Sequence, residues 1–321
     1  MHLSVRRYAR VAVVLSVLGL SLAQGDVTLA KKEVEAGVDP HTIVASDGKP
    51  VDVITDGIVY DQFGAYIAGN EGTGVLAEDD RAEAVDPNAL PATQSGSQEG
   101  LNSVIGTDNR VRITATTSDP YRRIGQITFS SGGGNYICTG WLISANTVAT
   151  AGHCLWSNNA WVTNVKFYPG RNGTSNPYGG CNATKLFTVS QWQTSGSPNY
   201  DYGAFKINCS VGSQTGWFGL RAPSNTGLVG QVTNIAGYPG DKTSGTMWFH
   251  ADTVRSYTSL RLSYANDTYG GQSGSPIWNS SGSCTNCSIG VHTNGGTTTN
   301  SGTRITSTVL SNFNTWINTA P

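Results

Sequence analysis

No glutamate occurs after Glu99: all six (Glu33, Glu35, Glu71, Glu78, Glu83 and Glu99) lie in the first third of the chain. Cysteine shows the reverse, with none before Cys138. Charged residues are 13% of the chain, against about 25% in an ordinary soluble domain. A net charge of −1 leaves no electrostatic footprint for nucleic-acid binding. Beyond residue 22 no apolar run has membrane length, which argues against an integral membrane protein. What is abundant is glycine, at 40 residues, with many Ser, Thr and Asn. That balance predicts a turn-rich β protein rather than a helical bundle.

The small net charge hides three segments. Residues 1–23 carry Arg6, Arg7 and Arg10 and no acid. An apolar run from Val11 to Leu22 follows, and Ser21 and Ala23 suit signal-peptidase cleavage, so an exported chain is expected. Residues 24–102 hold fifteen acids against four bases, and 103–321 hold six against thirteen. The acidic segment has short strand-like runs at Val51–Ile54 and Gly57–Tyr60. Its end, 84–100, is rich in Pro, Ser, Gln and Gly and reads as a linker. The layout predicts a secreted zymogen: signal peptide 1–23, propeptide 24–102 and a globular domain 103–321. An even cysteine count in an exported chain reads as disulfides. Cys284 and Cys287 have metal-ligand spacing, but no second such pair supports a metal.

Within 103–321, about a dozen short apolar or alternating runs recur between turn signals, among them Ile124–Phe129, Ile137–Ile143, Val232–Ala236 and Ile289–His292. These predict barrels or sandwiches. Val309, Leu310, Phe313, Trp316 and Ile317 fall at helical spacing and predict a C-terminal helix with one apolar face.

Three strings carry chemistry. His153 stands in Thr150-Ala-Gly-His-Cys154, at a strand end. Asp201 enters an apolar strand in Asn199-Tyr-Asp-Tyr-Gly-Ala-Phe205. Ser273 is flanked by glycines in Gly270-Gly-Gln-Ser-Gly-Ser-Pro276, which can expose its Oγ and leave backbone N–H groups for an oxyanion. Singly, each has a bland reading as a core histidine, a turn aspartate or a loop serine. Together they supply a nucleophile, a base to take its proton and an acid to orient the base.

The order His153, Asp201, Ser273 and the Thr-Ala-Gly-His-Cys string resemble the chymotrypsin-like serine peptidases. The resemblance narrows to the V8-like glutamyl endopeptidases over about Ser103 to Pro321. It rests on Ser103–Arg110, Gly237–Asp241, Thr246–Trp248, Asn199–Ala204, Gly270–Pro276 and Gly290–His292. It implies an all-β, double β-barrel fold with the site between the barrels, and a disulfide Cys138–Cys154. The remaining four cysteines allow three pairings, of which Cys181–Cys209 with Cys284–Cys287 is expected. It further implies oxyanion donors on the backbone of Gly271 and Ser273. Thr293 and Gly295 would pair with the substrate backbone. Thr268 and His292 would hold the P1 carboxylate, with the α-amino group freed at Ser103 or Val104 nearby.

The missing glutamates support this specificity from composition alone, because an enzyme that cuts after Glu would spare its own mature domain. At ordinary usage of about 6%, roughly a dozen would be expected there. Asp267 points the other way: it lies where trypsin-like enzymes bind P1 Lys or Arg. It is expected to face away or be paired, since thirteen Lys and Arg in the mature domain would be unprotected. Gln272 stands where animal trypsin-like zymogens keep the acid that meets the new N-terminus. The chain is therefore read as a secreted serine endopeptidase cutting after Glu, less well after Asp. The alternatives are a trypsin-like peptidase using Asp267 and a catalytically silent binding homologue. Expected partners are protein or peptide substrates and the chain's own propeptide. No cofactor, metal, nucleic acid or membrane is expected, and the molecule is expected to be a monomer.

Overall fold

The computed structural model describes residues 38–76, 102–281 and 284–321. The expected signal peptide, most of the expected linker and the glutamates other than Glu71 lie outside the described residues.

Two closed six-stranded antiparallel barrels form the body. The first runs Cys181–Val189, Thr163–Pro169, Ile124–Ser131, Gly134–Leu142, Thr147–Thr150 and Gly203–Ile207, and closes back on Cys181–Val189. The second runs Pro276–Ser281, Val232–Gly237, Met247–Tyr257, Arg261–Tyr264, Asn300–Arg304 and Cys284–Asn294, and closes on Pro276–Ser281. Closure removes the exposed edges that open sheets must protect.

Local sequence explains much of this. Ile124–Ser131 and Gly134–Leu142 pair up to Ser131↔Gly134, so Gly132 and Gly133 alone form the turn. Both have positive φ, 54° and 85°, as a two-residue hairpin matched to strand twist requires. The nine residues of Cys181–Val189 contain no clean alternation, which is why no strand is expected there from the sequence.

The C-terminal helix spans Ser307–Asn318. The Thr306 side chain accepts from Val309 N and caps its first turn. Val309, Leu310, Phe313 and Trp316 are fully buried. Trp316 stacks on Phe187 at 5.9 Å, and Phe313 lies 6.3 Å from Trp141. Burying each such ring stabilises by roughly 2–3 kcal/mol.

The acidic segment departs most from expectation. Val51–Ile54 forms no strand; Val59–Asp61 and Gly64–Ile67 make a hairpin that extends the second sheet through Gly219–Pro223. Ile43–Ala45 adds to Phe187–Val189 of the first sheet. Ile43, Ala45 and Ala65 are buried in the main core.

Candidate active site

His153 sits in the short 3-10 turn Gly152–Cys154, directly after the strand Thr147–Thr150. The disulfide Cys138–Cys154 ties this turn to the neighbouring strand, with a Cα separation of 6.3 Å. Cys181 is bonded to Cys209 and Cys284 to Cys287. Each of the first two loops is worth about 3 kcal/mol in the chain-entropy picture.

Asp201 ends the turn Pro198–Tyr200 and is 1% exposed. Its Oδ1 accepts from His153 N at 2.9 Å, and its Oδ2 lies 2.8 Å from His153 Nδ1. An ionised carboxylate only accepts, so Nδ1 carries the proton and Nε2 keeps its lone pair. Burial would lower the imidazole pKa, but the Asp201 charge and its hydrogen bond outweigh burial and raise it above the ordinary value. Thr303 Oγ1 donates to Asp201 O at 2.9 Å, so the second barrel also holds the acid.

Ser273 lines the same cleft as His153 and Asp201. Its loop is fixed from the first barrel. Thr139 N donates to Ser273 O at 2.8 Å and Thr139 Oγ1 to Gly271 O at 2.9 Å. Gly271 has φ +101°, where a side chain would be strained, and an added Cβ would meet Tyr238 O. Among the described residues, the N–H groups of Gly271 and Ser273 have no protein acceptor. That arrangement can receive a developing oxyanion.

The rest of the cleft is lined by His292, Thr293, Gly295, Ser103 and Arg261, among others. The strand Cys284–Asn294 changes register between His292 and Asn294, leaving Thr293 outside the ladder with Asn300–Arg304. Such an irregularity leaves main-chain groups available to an added strand.

His292 is 3% exposed, and its Nδ1 lies 2.7 Å from Tyr264 Oη. Burial, then the nearby His153 and Arg261 charges, lower its pKa to about 3. The ring is therefore neutral at working pH and carries one N–H. Burial also keeps the Tyr264 phenol protonated. Among the described residues Tyr264 Oη has no other partner. The bond is satisfied when the phenol donates to Nδ1, which leaves the proton on His292 Nε2. Sequence reading passed over Tyr264, because an aromatic at a strand end looks like ordinary core.

Thr268 is fully buried and does not line the cleft. It pairs with Ser103 in a two-residue ladder, and its Oγ1 donates to Ser103 Oγ at 3.2 Å. Asn300 Nδ2 donates to both Ser103 O and Thr268 Oγ1, at 2.7 and 3.1 Å. Asp267 does not reach the cleft either. Its Oδ1 accepts from Ile105 N and its Oδ2 from Asn109 N, both at 2.8 Å. Gln272 Oε1 accepts from Tyr269 N at 3.0 Å and from Arg110 Nη1 at 3.4 Å. Arg110 is itself paired with Asp108 and Asp241.

Arg261 was not singled out in the sequence. Its guanidinium donates to Thr293 Oγ1 at 3.0 Å, to Asn294 Oδ1 at 2.8 Å, to Ser301 Oγ and to Pro198 O. All are neutral acceptors, and the nearby acid acting on the guanidinium is Asp201.

Comparison with known proteins shows the family. The trypsin family model matches residues 112–317. The chain belongs to the trypsin family. It is a serine endopeptidase, and its relatives place it in the V8-like branch. It is 41% identical to a glutamyl endopeptidase of Bacillus licheniformis over 96% of both chains. It is 38% identical to a Bacillus subtilis protein named extracellular metalloprotease, over 88% of this chain and 90% of that one. A solved Glu endopeptidase structure aligns with TM-score 0.61 and 28% identity, covering 67% of this chain and all of that one. This member of the trypsin family acts on peptide substrates. Among the described residues, the only His/Cys/Asp/Glu cluster tight enough for a metal is Cys138, His153 and Cys154. Its two sulfurs are bonded to each other, so it offers one nitrogen and no thiolate.

Proposed function

We propose that this peptidase hydrolyses bonds after Glu, and less well after Asp, through Ser273, His153 and Asp201. Ser273 Oγ attacks the peptide carbonyl while His153 Nε2 takes its proton. Asp201 holds the imidazole in the Nδ1–H form and stabilises its cation. The N–H groups of Gly271 and Ser273 stabilise the oxyanion. His153 then protonates the leaving amine, and water hydrolyses the acyl-enzyme by the same route.

One observation carries the preference for Glu: a neutral, buried His292 whose phenol partner leaves Nε2–H as a donor. An N–H donor can bind a P1 carboxylate, and the Arg261 charge raises the local potential for an anion. A trypsin-like pocket would need the Asp267 carboxylate, but its oxygens accept from Ile105 and Asn109 instead.

Residues 1–23 serve as a signal peptide and 24–102 as a propeptide, so the mature enzyme is extracellular and works as a monomer. Among the described residues no helix is long and apolar enough to cross a membrane. In the uncut chain Asn102–Ser103 pairs with Thr268–Tyr269 beside the cleft. Cutting before Ser103 would put a positive α-amino group there, next to the proposed carboxylate site. The uncut precursor is therefore expected to be nearly inactive, and a fully active 24–321 form would contradict this.

Cleavage mapping tests the reading. Processed enzyme and the Ser273→Ala variant are incubated with a mixed peptide library, and cut sites are read by mass spectrometry. Cuts after Glu that vanish in the variant are expected. Cuts after Lys and Arg would overturn the assignment.

A further inference from the structure

Residues 38–76 take no part in the chemistry: none of them lines the cleft. Yet they make a long and specific contact with the peptidase domain. Ile43–Ala45 adds a strand beside Phe187–Val189 of the first barrel. Gly64–Ile67 adds one beside Leu220–Pro223, on the second sheet. Before the first strand and between the two, main chain of the segment is held by the C-terminal helix. Asn312 Nδ2 donates to His41 O at 2.9 Å, and Asn314 Nδ2 to both Ile54 O and Asp56 O at 2.9 Å. Thr315 Oγ1 accepts from Ile54 N at 2.7 Å. Three buried polar side chains thus hold main chain of the segment.

Charge adds a fixed point. Arg221 is 1% exposed and forms a two-pronged pair with Asp61, at 2.7 and 3.0 Å. Lys185 pairs with Asp47 at 2.9 Å. The acidic segment thus meets the basic domain at named places, and strand addition supplies main-chain hydrogen bonds besides.

Glutamate spacing says what processing would leave behind. Glu33 and Glu35 stand before the contact segment, Glu71 lies in its last stretch, where Thr73 N and Gly74 N still donate to Ser213 O and Gln214 O, and Glu78, Glu83 and Glu99 follow it. Residues 36–70 contain none, though they hold Asp39, Asp47, Asp52, Asp56 and Asp61. An enzyme that cuts after Glu would trim both flanks and leave at least 36–71 whole.

We infer that fragment 36–71 stays bound to the peptidase domain after the chain is cut, as a non-covalent clasp across both barrels and the C-terminal helix. The expected trimming rests on the proposed Glu specificity; the retention rests on the contacts alone. The clasp leaves the cleft open, so latency belongs to the uncut junction before Ser103 and not to the docked segment.

The test uses full-length Ser273→Ala precursor cut by a trace of processed wild-type enzyme. Gel filtration and native mass spectrometry then follow the fragments. Co-migration of 36–71 with the 103–321 domain in a one-to-one complex is expected. In Asp61→Asn precursor the fragment should bind at least about tenfold more weakly, because buried Arg221 loses its charged partner while the domain's own sequence is unaltered. Added 36–71 peptide should change turnover of a short peptide substrate by less than about twofold. A fragment that elutes alone at about 10 μM, where even micromolar binding would hold it, overturns the inference, as does competitive inhibition by the peptide. A second precursor carries the recognition site of an unrelated protease between residues 90 and 96. It reads retention independently, so failure of the Glu reading shows as displaced cut sites and failure of the clasp as a free fragment.

Discussion

His153 and His292 face one cleft and stand in opposite electrostatic settings. Each has one strong partner at Nδ1: a carboxylate for His153 at 2.8 Å, a phenol for His292 at 2.7 Å. The carboxylate overcomes the effect of burial and raises the His153 pKa. The phenol offers no charge, so burial wins and His292 falls to about 3. The carboxylate fixes Nδ1–H and frees a lone pair at Nε2; the phenol fixes a lone pair at Nδ1 and puts the proton on Nε2. The partner atom behind each ring thus makes one imidazole a base and the other a hydrogen-bond donor.

The comparison breaks first at Asp201. Asp201→Asn replaces a pure acceptor by a group that can donate, so Nδ1–H is no longer enforced. A fall of about 10⁴ in kcat is expected, measured on a P1 Glu peptide. A loss below about tenfold would mean that His153 keeps its tautomer by other means.

Tyr264→Phe attacks the second partner. With no phenol, the ring loses its reason to hold the proton at Nε2, and the lone pair can face the P1 carboxylate. Discrimination between P1 Glu and P1 Gln should fall about ten- to hundredfold in kcat/KM. Turnover of the Gln peptide should move little, and that split separates lost specificity from a loosened fold. If the wild type shows no Glu preference, the His292 assignment fails; if it does and the variant keeps it, only the tautomer argument fails.

Much of the site was legible because it is local. His153, Asp201 and Ser273 each stand in a short continuous string, and the helix at Ser307–Asn318 shows its apolar face at regular spacing. Tyr264 and Arg261 were not legible, because their roles come from partners across the second barrel. Tyr264 meets His292 28 residues away and Arg261 meets Thr293 32 away. The acidic segment hid its fold for a related reason. Its strands are three and four residues long, too short for alternation to register. Its buried pair joins Asp61 to Arg221 160 positions on. Thr268 shows the converse: the string suggests a pocket residue, but in the uncut chain it is buried against Ser103 and does not line the cleft.

The two histidines also oppose each other in stability against pH. The unfolded chain protonates His292 at the ordinary 6.5, while the folded chain does so only near 3. The unfolded state thus binds more protons in that window, and stability falls as pH drops from 6.5 toward 3. His153 has the reverse sign: its contribution is complete below 6.5 and is lost as pH rises through its higher folded value. Urea midpoints of Ser273→Ala precursor should therefore drop between about pH 6 and pH 4, with a shallower slope in a His292→Gln background. An unchanged slope would mean that His292 takes up its proton in the folded state.

The smallest effect is expected at Asp267, the one acid that could have turned the pocket toward Lys and Arg. Its oxygens instead accept from Ile105 and Asn109, which holds the segment leading from Ser103. Asp267→Asn keeps the shape but replaces one acceptor oxygen by a donor, so one of the two backbone N–H groups loses its partner. The segment should loosen, and the α-amino group beside the carboxylate site should be held less firmly. KM for a P1 Glu peptide should rise about three- to tenfold with kcat nearly unchanged. Activity on P1 Arg peptides should stay at its wild-type level, because the carboxylate removed never faced them. A loss of Arg cleavage in this variant would show instead that Asp267 reaches the pocket once the chain is cut.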